Sequence, residues 1–415
     1  MYLTHLSLTN FRSFARLDVA VPRGPVLLVG GNAQGKTSLL EAIYFLATYE
    51  SFHATSDRQL VNFLASQEPV VVARIVAEFR RKKGTEGSAE PTNHKMEVRV
   101  IQEPSGLNGT PRLRKEILLN GLKRKVSEAV GEFNAVLFLP HMLRIVEGAP
   151  EERRRYLNMA LIQVEPQYAL ALSEYGRILT QRNALLKQLS ERGGDVQQLS
   201  YWDEQLSVYG AQLIHARIRA IQELERLAAR IHGELTRSQE VLRLSYQPAF
   251  DPLQKKTSQY TLPIDAPLDR SRLSLEKIQN SFLESLTRLH SEEIARGVTT
   301  LGPHRDELRF LSNQIDLGTF GSRGQARTAV LSLKLAEVDW MNGRTGQWPV
   351  LLLDEVLAEL DTDRRADLLE RLSQSEQALL TTTDLDLFSS KFIIKSKVWN
   401  IQGGRLVQEA EKRDA

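Results

Sequence analysis

Gly30-Gly31-Asn32-Ala33-Gln34-Gly35-Lys36-Thr37 decides the fold of this chain. The stretch fits G-x-x-x-x-G-K-[ST]. It follows the apolar run Pro25-Val26-Leu27-Leu28-Val29 and leads into Lys36 to Ala47, a segment of helix formers with Leu39, Leu40, Ile43, Tyr44 and Leu46 on one side. Strand, glycine loop and helix are the context this motif requires. Successive backbone amides from Asn32 to Thr37, at a helix N-terminus, can point at phosphate oxygens. Gly35 permits close approach, Lys36 reaches the β- and γ-phosphates, and the Thr37 hydroxyl ligates Mg²⁺. The candidate nucleotide-binding set runs from Gly30 through Ser38. A chance glycine turn before a helix is the bland alternative, and the flanking elements argue against it.

The second half of such a site lies near the other end. Leu351-Leu352-Leu353-Asp354-Glu355 is an apolar strand that delivers two adjacent carboxylates. Acids at the tip of a buried strand are costly unless they meet a cation or solvent. Asp354 would hold Mg²⁺, directly or through water, and Glu355 would orient or deprotonate an attacking water. Lys36 and Glu355 are the candidate catalytic residues. A third element, Ser322-Arg323-Gly324-Gln325, precedes a helix expected from Thr328 to Met341. Ser and Gly at a helix N-terminus make either an ordinary cap or a second phosphate site. Its place shortly before the acidic strand is the relation that ABC-type ATPases show between their signature motif and Walker B strand. There the signature contacts the γ-phosphate of ATP held by a second subunit, so its function requires a dimer.

Working outward, 415 residues exceed one ordinary core. The net charge of +3 is too small to argue nucleic-acid binding, which must rest on local clusters. Cysteine is absent, which rules out disulfides and thiolate metal sites and fits a reducing cytoplasm. Met1 to Leu8 alternates like a strand, without the pattern of a signal peptide. No run is long and apolar enough for a membrane helix, so a cytoplasmic location is expected. The histidines show no zinc spacing, and no G-x-S-x-G occurs.

Residues 69 to 126 read as an antiparallel meander, with mobile loop tips at Gly84 to Pro91 and Pro104 to Gly109. From Pro150 the texture turns helical. Stretches 151–192 and 196–238 are separated by Gly193-Gly194-Asp195, the turn of a helical hairpin too short for a coiled-coil arm. A Pro-containing segment (Tyr246 to Pro267) and a helix over Leu273 to Ile294 follow. The expected fold is α/β: a P-loop ATPase head split in sequence, with an antiparallel β meander and an inserted helical lobe. The expected boundaries are 1–149 with 297–415 for the ATPase lobe and 150–296 for the helical lobe.

Longer stretches carry a resemblance. Leu8-Thr9-Asn10-Phe11-Arg12-Ser13-Phe14, the P-loop, and Pro140 to Pro150 followed by Arg153-Arg154-Arg155-Tyr156-Leu157 are joined by Gln181-Arg182-Asn183, Gly302-Pro303-His304-Arg305-Asp306, Gly324-Gln325 and Leu353-Asp354-Glu355 to Asp361. Over nearly its full length the chain resembles the RecF family of DNA replication and repair ATPases, on the SMC-like branch of ABC ATPases. The resemblance implies a bacterial, nucleoid-associated protein. It would dimerise on ATP, bind duplex DNA or a duplex–single-strand junction, and act with RecR and the RecA-loading machinery at single-strand gaps. Arg12 would contact phosphate, with a solvated strand-end arginine as the alternative. Asp361 would belong to a D-loop crossing the dimer interface. Thr381-Thr382-Thr383-Asp384 places Thr383 where ABC ATPases have a switch histidine, so slow, DNA-stimulated hydrolysis is expected. Arg323 replaces the glycine of the general signature, and no Q-loop glutamine is evident near Pro140-His141.

Four basic clusters fit phosphate-backbone contacts: Arg80-Arg81-Lys82-Lys83, Arg112-Leu113-Arg114-Lys115, Lys123-Arg124-Lys125 and Arg153-Arg154-Arg155. Solvated strand ends are the bland reading of each. Aromatics are not interleaved with them, which disfavours a base-stacking platform. Three rivals stand beside the main reading. The ATPase subunit of a transporter would keep a switch histidine. A small-molecule P-loop kinase would carry its Walker B strand closer. A DNA clamp would use ATP only structurally.

Overall fold

The computed structural model describes residues 1–65, 70–82, 90–103, 112–253, 270 and 272–407. The expected loop tips at Gly84 and Pro104, the end of the first basic cluster (Lys83) and most of the Pro-containing segment lie outside the described residues. Two compact units emerge, Met1–Met142 with Glu337–Ala415, and Leu143–Ala336.

The first unit holds two six-stranded sheets. One is antiparallel throughout, in the order Phe14–Ala20, Tyr2–Phe11, Val71–Arg81, Thr92–Glu103, Arg112–Leu119, Leu122–Arg124. Its period-two patterning is plain: Leu6, Leu8, Ile75, Ala77, Met96, Val98 and Ile117 are buried on one face. The other sheet runs Arg405–Val407, Lys397–Gln402, Gly24–Val29, Gln377–Thr382, Val350–Asp354, Ala135–Phe138. All but its first strand are parallel. Buried parallel strands read as continuous apolar runs, which is why Val26-Leu27-Leu28 and Val350 to Leu353 carry no alternation.

The helix Lys36–Thr48 buries Leu39, Leu40, Ile43, Phe45 and Leu46. Each such side chain contributes roughly 1.5–3 kcal/mol. The order of the parallel sheet positions the site. Gln377–Thr382 lies between the strand that feeds the glycine loop and the strand that ends in Asp354, in register Thr381↔Leu28 and Asp354↔Thr381.

The second unit is mostly helical: Pro150–Val164, Pro166–Arg192, Gln198–Leu235, Leu275–Arg288 and His290–Arg296. The helical stretch expected over 151–192 is two helices that meet at Glu165. Pro166 opens the next helix, where its missing N–H costs nothing. The unit also holds the antiparallel strands Leu242–Gln247, Glu307–Ser312 and Ile315–Asp316. Glu307–Ser312 pairs with Leu242–Gln247, so residues past 296 are tied to the helical unit by a ladder of backbone hydrogen bonds. The helix expected from Thr328 begins earlier and spans Arg323–Thr345.

Candidate active site

The glycine loop ends at Gly35, whose φ of 109° admits glycine and few other residues. A β-carbon there would also come within 2.7 Å of Ser13 Oγ. Lys36 is buried, and its ammonium donates to the carbonyls of Gly30 (2.7 Å) and Gly31 (2.9 Å). It also stands 3.3 Å from a Glu355 carboxylate oxygen.

The two distant motifs touch. Thr37 Oγ1 donates to both oxygens of Asp354, at 2.9 and 3.0 Å. Thr381 Oγ1, from the intervening strand, donates to Asp354 Oδ1 at 2.7 Å and accepts the Glu355 N–H at 3.0 Å. One hydroxyl thus links the Asp354 carboxylate to the Glu355 backbone. Glu355 sits at φ 52° with its side chain 42 % exposed. Left-handed backbone at a non-glycine residue costs of order 1–3 kcal/mol and persists where surroundings enforce it. Here the enforcement is the Thr381 bond. Thr381 was quoted in the sequence but given no role. Its signal is a hydroxyl near the tip of the otherwise apolar Ala378-Leu379-Leu380 run.

Thr37 and Asp354 offer hard oxygen donors on one side of the loop, a set suited to Mg²⁺, which takes one or two protein oxygens and completes its shell with phosphate and water. Among the described residues no cluster of three or more His, Cys, Asp or Glu could hold a metal by itself.

Arg12 lies on a strained turn (φ 51°) and makes a two-point ion pair with Glu41, both contacts at 2.7 Å. It also donates to Gln59 O at 2.9 Å. Glu41 is buried one turn past Thr37 and also takes the Ser51 hydroxyl. Sequence reading missed it; the signal was a lone carboxylate within Leu39-Leu40-Glu41-Ala42-Ile43. A cavity of about 450 Å³ opens here, lined by Arg12, Ser13, Thr37, Ser38, Glu41, His53, Gln59, Val61 and Phe63. The His141 ring lies tilted at 46° to that of His53, with centroids 6.1 Å apart.

The remaining sequence candidates fall as follows. Ser322 and Gln325 form a reciprocal capping box. Gln325 N donates to Ser322 Oγ (3.2 Å), and Ser322 N donates to Gln325 Oε1 (3.1 Å). Ser322, Arg323 and Gly324 are exposed. Asp361 caps Thr362–Ser373 by accepting from Arg364 N, and that backbone bond, with the Arg364 guanidinium, holds its carboxyl below the usual range. Thr383 lies exposed just past its strand, with no side-chain hydrogen bond to a described residue.

Strand alternation divides the basic clusters between the two faces of the antiparallel sheet, one of which also carries Arg74, Lys95 and Arg99 by register. Arg80, Arg112, Arg114 and Lys123 share a face by register with Glu78, Glu97, Glu103 and Glu116. Arg114 and Lys123 pair with Glu116. Arg81 turns to Glu132 and the Gly131 carbonyl, and Lys115 to Asp57. Lys82 sits beside Gln347 through its backbone. Arg124 and Lys125 are exposed without an ion pair to a described residue. In the helical unit Arg153 is buried against Glu307 and two carbonyls, and Arg154 donates to Asp306 O. Arg153 and Arg154 are thus tied into that unit, whereas Arg155 is exposed.

Strand, glycine loop, helix and an acid-tipped parallel strand, joined through Thr37 and Thr381, define a P-loop ATPase head of mixed α/β fold. Residues 2–397 match the family described as RecF/RecN/SMC N terminal domain. A DNA replication and repair protein RecF from Roseiflexus castenholzii is 38 % identical over 98 % of this chain and 99 % of its own. One from Herpetosiphon aurantiacus is 39 % identical over 95 % and 96 %. A solved structure of the recombination mediator protein RecF-ATPrS in the RecFOR pathway superposes with a TM-score of 0.80 at 29 % identity, covering 99 % of this chain and 98 % of that one. An Smc head bound to the C-terminal winged-helix domain of ScpA shares the fold alone, with a TM-score of 0.51 at 15 % identity. The chain belongs to the RecF family, within the wider RecF/RecN/SMC group.

Proposed function

We propose that this chain is an ATP-hydrolysing DNA replication and repair protein that closes as a homodimer on ATP. The observation that carries the reading is the Thr37–Asp354–Thr381–Glu355 web, which sets an ion ligand and a candidate water-activating carboxylate beside a phosphate-binding loop. Lys36 would exchange its loop carbonyls and Glu355 for the β- and γ-phosphates. Thr37 and Asp354 would hold Mg²⁺, which supplies charge neutralisation of the phosphates when bound. Glu355 would accept a proton from the attacking water. Arg12, held by Glu41, would present its remaining N–H groups toward the phosphates from the cavity wall.

Ser322 to Gln325 would act on ATP held by a second copy. Gly324 supports this. It stands in the first turn of a helix, where glycine costs about 1 kcal/mol relative to alanine. A β-carbon there would find nothing in this chain closer than 3.8 Å. Among the described residues nothing packs on that position, which leaves room there for a phosphate to approach. Thr383 cannot serve as an imidazole base, which favours slow turnover. Arg124 and Lys125, exposed and outside any ion pair with a described residue, would offer cations to DNA phosphates, and by family membership RecR and the RecA-loading machinery are the expected partners.

The test measures oligomeric state and DNA binding together, with ATP, ADP and no nucleotide, on gapped and intact duplex. ATP-dependent dimerisation, lost in Ser322→Ala, and turnover lost in Lys36→Arg are the expected results. A chain that stays monomeric at micromolar concentration with ATP contradicts the in-trans role of the signature. Salt-insensitive DNA affinity contradicts phosphate contacts, because counterion release makes them steeply salt-dependent.

A further inference from the structure

Glu240 lies between the end of the long helix Gln198–Leu235 and the strand Leu242–Gln247. Its carboxylate is mostly buried, and its two oxygens are divided between different elements. Oε2 accepts from Ser312 Oγ (2.9 Å) and contacts His232 Nε2 (3.2 Å), on the adjacent strand and in the last turn of the long helix. Oε1 accepts from Gln325 Nε2 at 3.2 Å.

That last bond fixes more than one side chain. A carboxylate only accepts, so the Gln325 amide must turn its NH₂ toward Glu240 and its carbonyl toward Ser322 N–H. The observed 3.1 Å bond from Ser322 N to Gln325 Oε1 is the result. Ser322 Oγ is held in turn by Gln325 N. The loop itself is exposed, so its shape rests on these few bonds. Glu240 and the Ser322 N–H select the same amide orientation, and without Glu240 only the Ser322 N–H holds it. A flipped Gln325 would aim a donor at a donor.

We infer that Glu240 is a positioning residue for the Ser322–Gln325 loop, setting it to receive a phosphate carried by a second copy of this chain. Through His232 and Ser312 it ties that loop to the long helix and the small sheet of the same unit, so a shift of the helix end reaches Ser322 through one carboxylate. The inference rests on the in-trans reading of the loop given above.

The experiment uses the full chain as wild type, Glu240→Gln, Ser322→Ala and Lys36→Ala. Glutamine keeps the shape of Glu240 but removes its charge and leaves one acceptor oxygen in place of two, so the bonds from Gln325 and Ser312 lose their charge-assisted strength and the His232 contact survives only with an unprotonated Nε2. ATP affinity is read with a fluorescent ATP analogue, dimerisation by sedimentation, and turnover by phosphate release. Glu240→Gln is expected to bind ATP as wild type while its dimer weakens roughly tenfold to a hundredfold, the effect of losing a hydrogen bond to a charged group. Mixing it with Lys36→Ala should restore part of the turnover, since one composite site then pairs an intact glycine loop with an intact Ser322 loop. If Glu240→Gln dimerises and turns over normally while Ser322→Ala does not, the positioning role is wrong and the in-trans reading survives. If both dimerise normally, the in-trans reading itself fails. If Glu240→Gln loses ATP affinity and melting temperature and mixing restores nothing, the residue is merely structural.

Discussion

Lys36 and Glu355 at the glycine loop differ from Arg182 and Arg217 in the helical unit in what holds their charge. Lys36 is held by two backbone carbonyls and a 3.3 Å contact to a half-exposed glutamate. Each is a bond that a phosphate can replace. Arg182 is fully buried between Asp203 (2.7 Å), Glu293 (2.6 Å) and Thr299. Arg217 is buried against Asp306 (2.7 Å), Pro303 O, Tyr168 and Asn158. Asp306 further accepts from Tyr246 OH and Ala249 N. Charges sealed by protein partners hold a scaffold; charges left with exchangeable partners at a sheet tip await a ligand. Buried charges go unpaired only at a cost of several kcal/mol, so the second set resists change where the first invites it.

The sharpest way to break that contrast is Glu355→Gln. Removing a general base should slow hydrolysis by about 10²–10⁴-fold, measured in single turnover, with thermal stability unchanged because the side chain is exposed. A large loss of stability would place Glu355 with the scaffold instead. Asp306→Ala is the converse. It leaves Arg217 buried without its carboxylate and should cost about 3–5 kcal/mol in denaturant unfolding. A stable variant that had lost only turnover would overturn its assignment as scaffold. A smaller effect is expected from Thr381→Val, which keeps volume and removes the hydroxyl shared by Asp354 and Glu355 N. Loss of that hydrogen bond is worth about 1–3 kcal/mol. It should appear as slower turnover with ATP affinity nearly kept, and equal loss in both would make Thr381 a binding residue.

The same contrast explains what was legible. The glycine loop and the acid-tipped strand could be read because their chemistry is written in consecutive residues. The meander could be read from period two, and the helical hairpin from its glycine turn. Glu41, Glu240 and Thr381 could not, since their roles arise from partners distant in sequence, such as Arg12, Gln325 and Asp354. The basic clusters are divided for a related reason. Consecutive residues on a strand point to opposite faces, so Arg80 and Arg81 meet different surroundings. Gly302-Pro303-His304-Arg305-Asp306, distinctive in sequence, belongs to the sealed set. Gly302 takes φ 129°, and a β-carbon there would come within 2.5 Å of Tyr175 OH.

His304 offers the finest test of that sealing. Tyr175 OH lies 2.7 Å from its Nδ1, and Thr299 O lies 3.2 Å from its Nε2. A carbonyl only accepts, so Nε2 carries the proton and Nδ1 takes the tyrosine hydrogen; the neutral ring satisfies both contacts. Burial is the main reason its pKa falls below the ordinary 6.5, and Arg305 and Arg154 push the same way against Thr299 O and Asp306. The unfolded chain then binds a proton near pH 6.5 that the folded chain refuses, so stability rises with pH across that window. The His304 contribution is fully present above about 6.5 and is lost as the pH falls toward the depressed folded value. Denaturant titrations at pH 5.5 and 7.5 should show wild type losing more stability on acidification than His304→Gln, with hydrolysis at pH 7.5 little changed. Equal acid sensitivity in the two proteins would mean that His304 is protonated in the fold, and that this stretch is less sealed than Arg182 and Arg217 are.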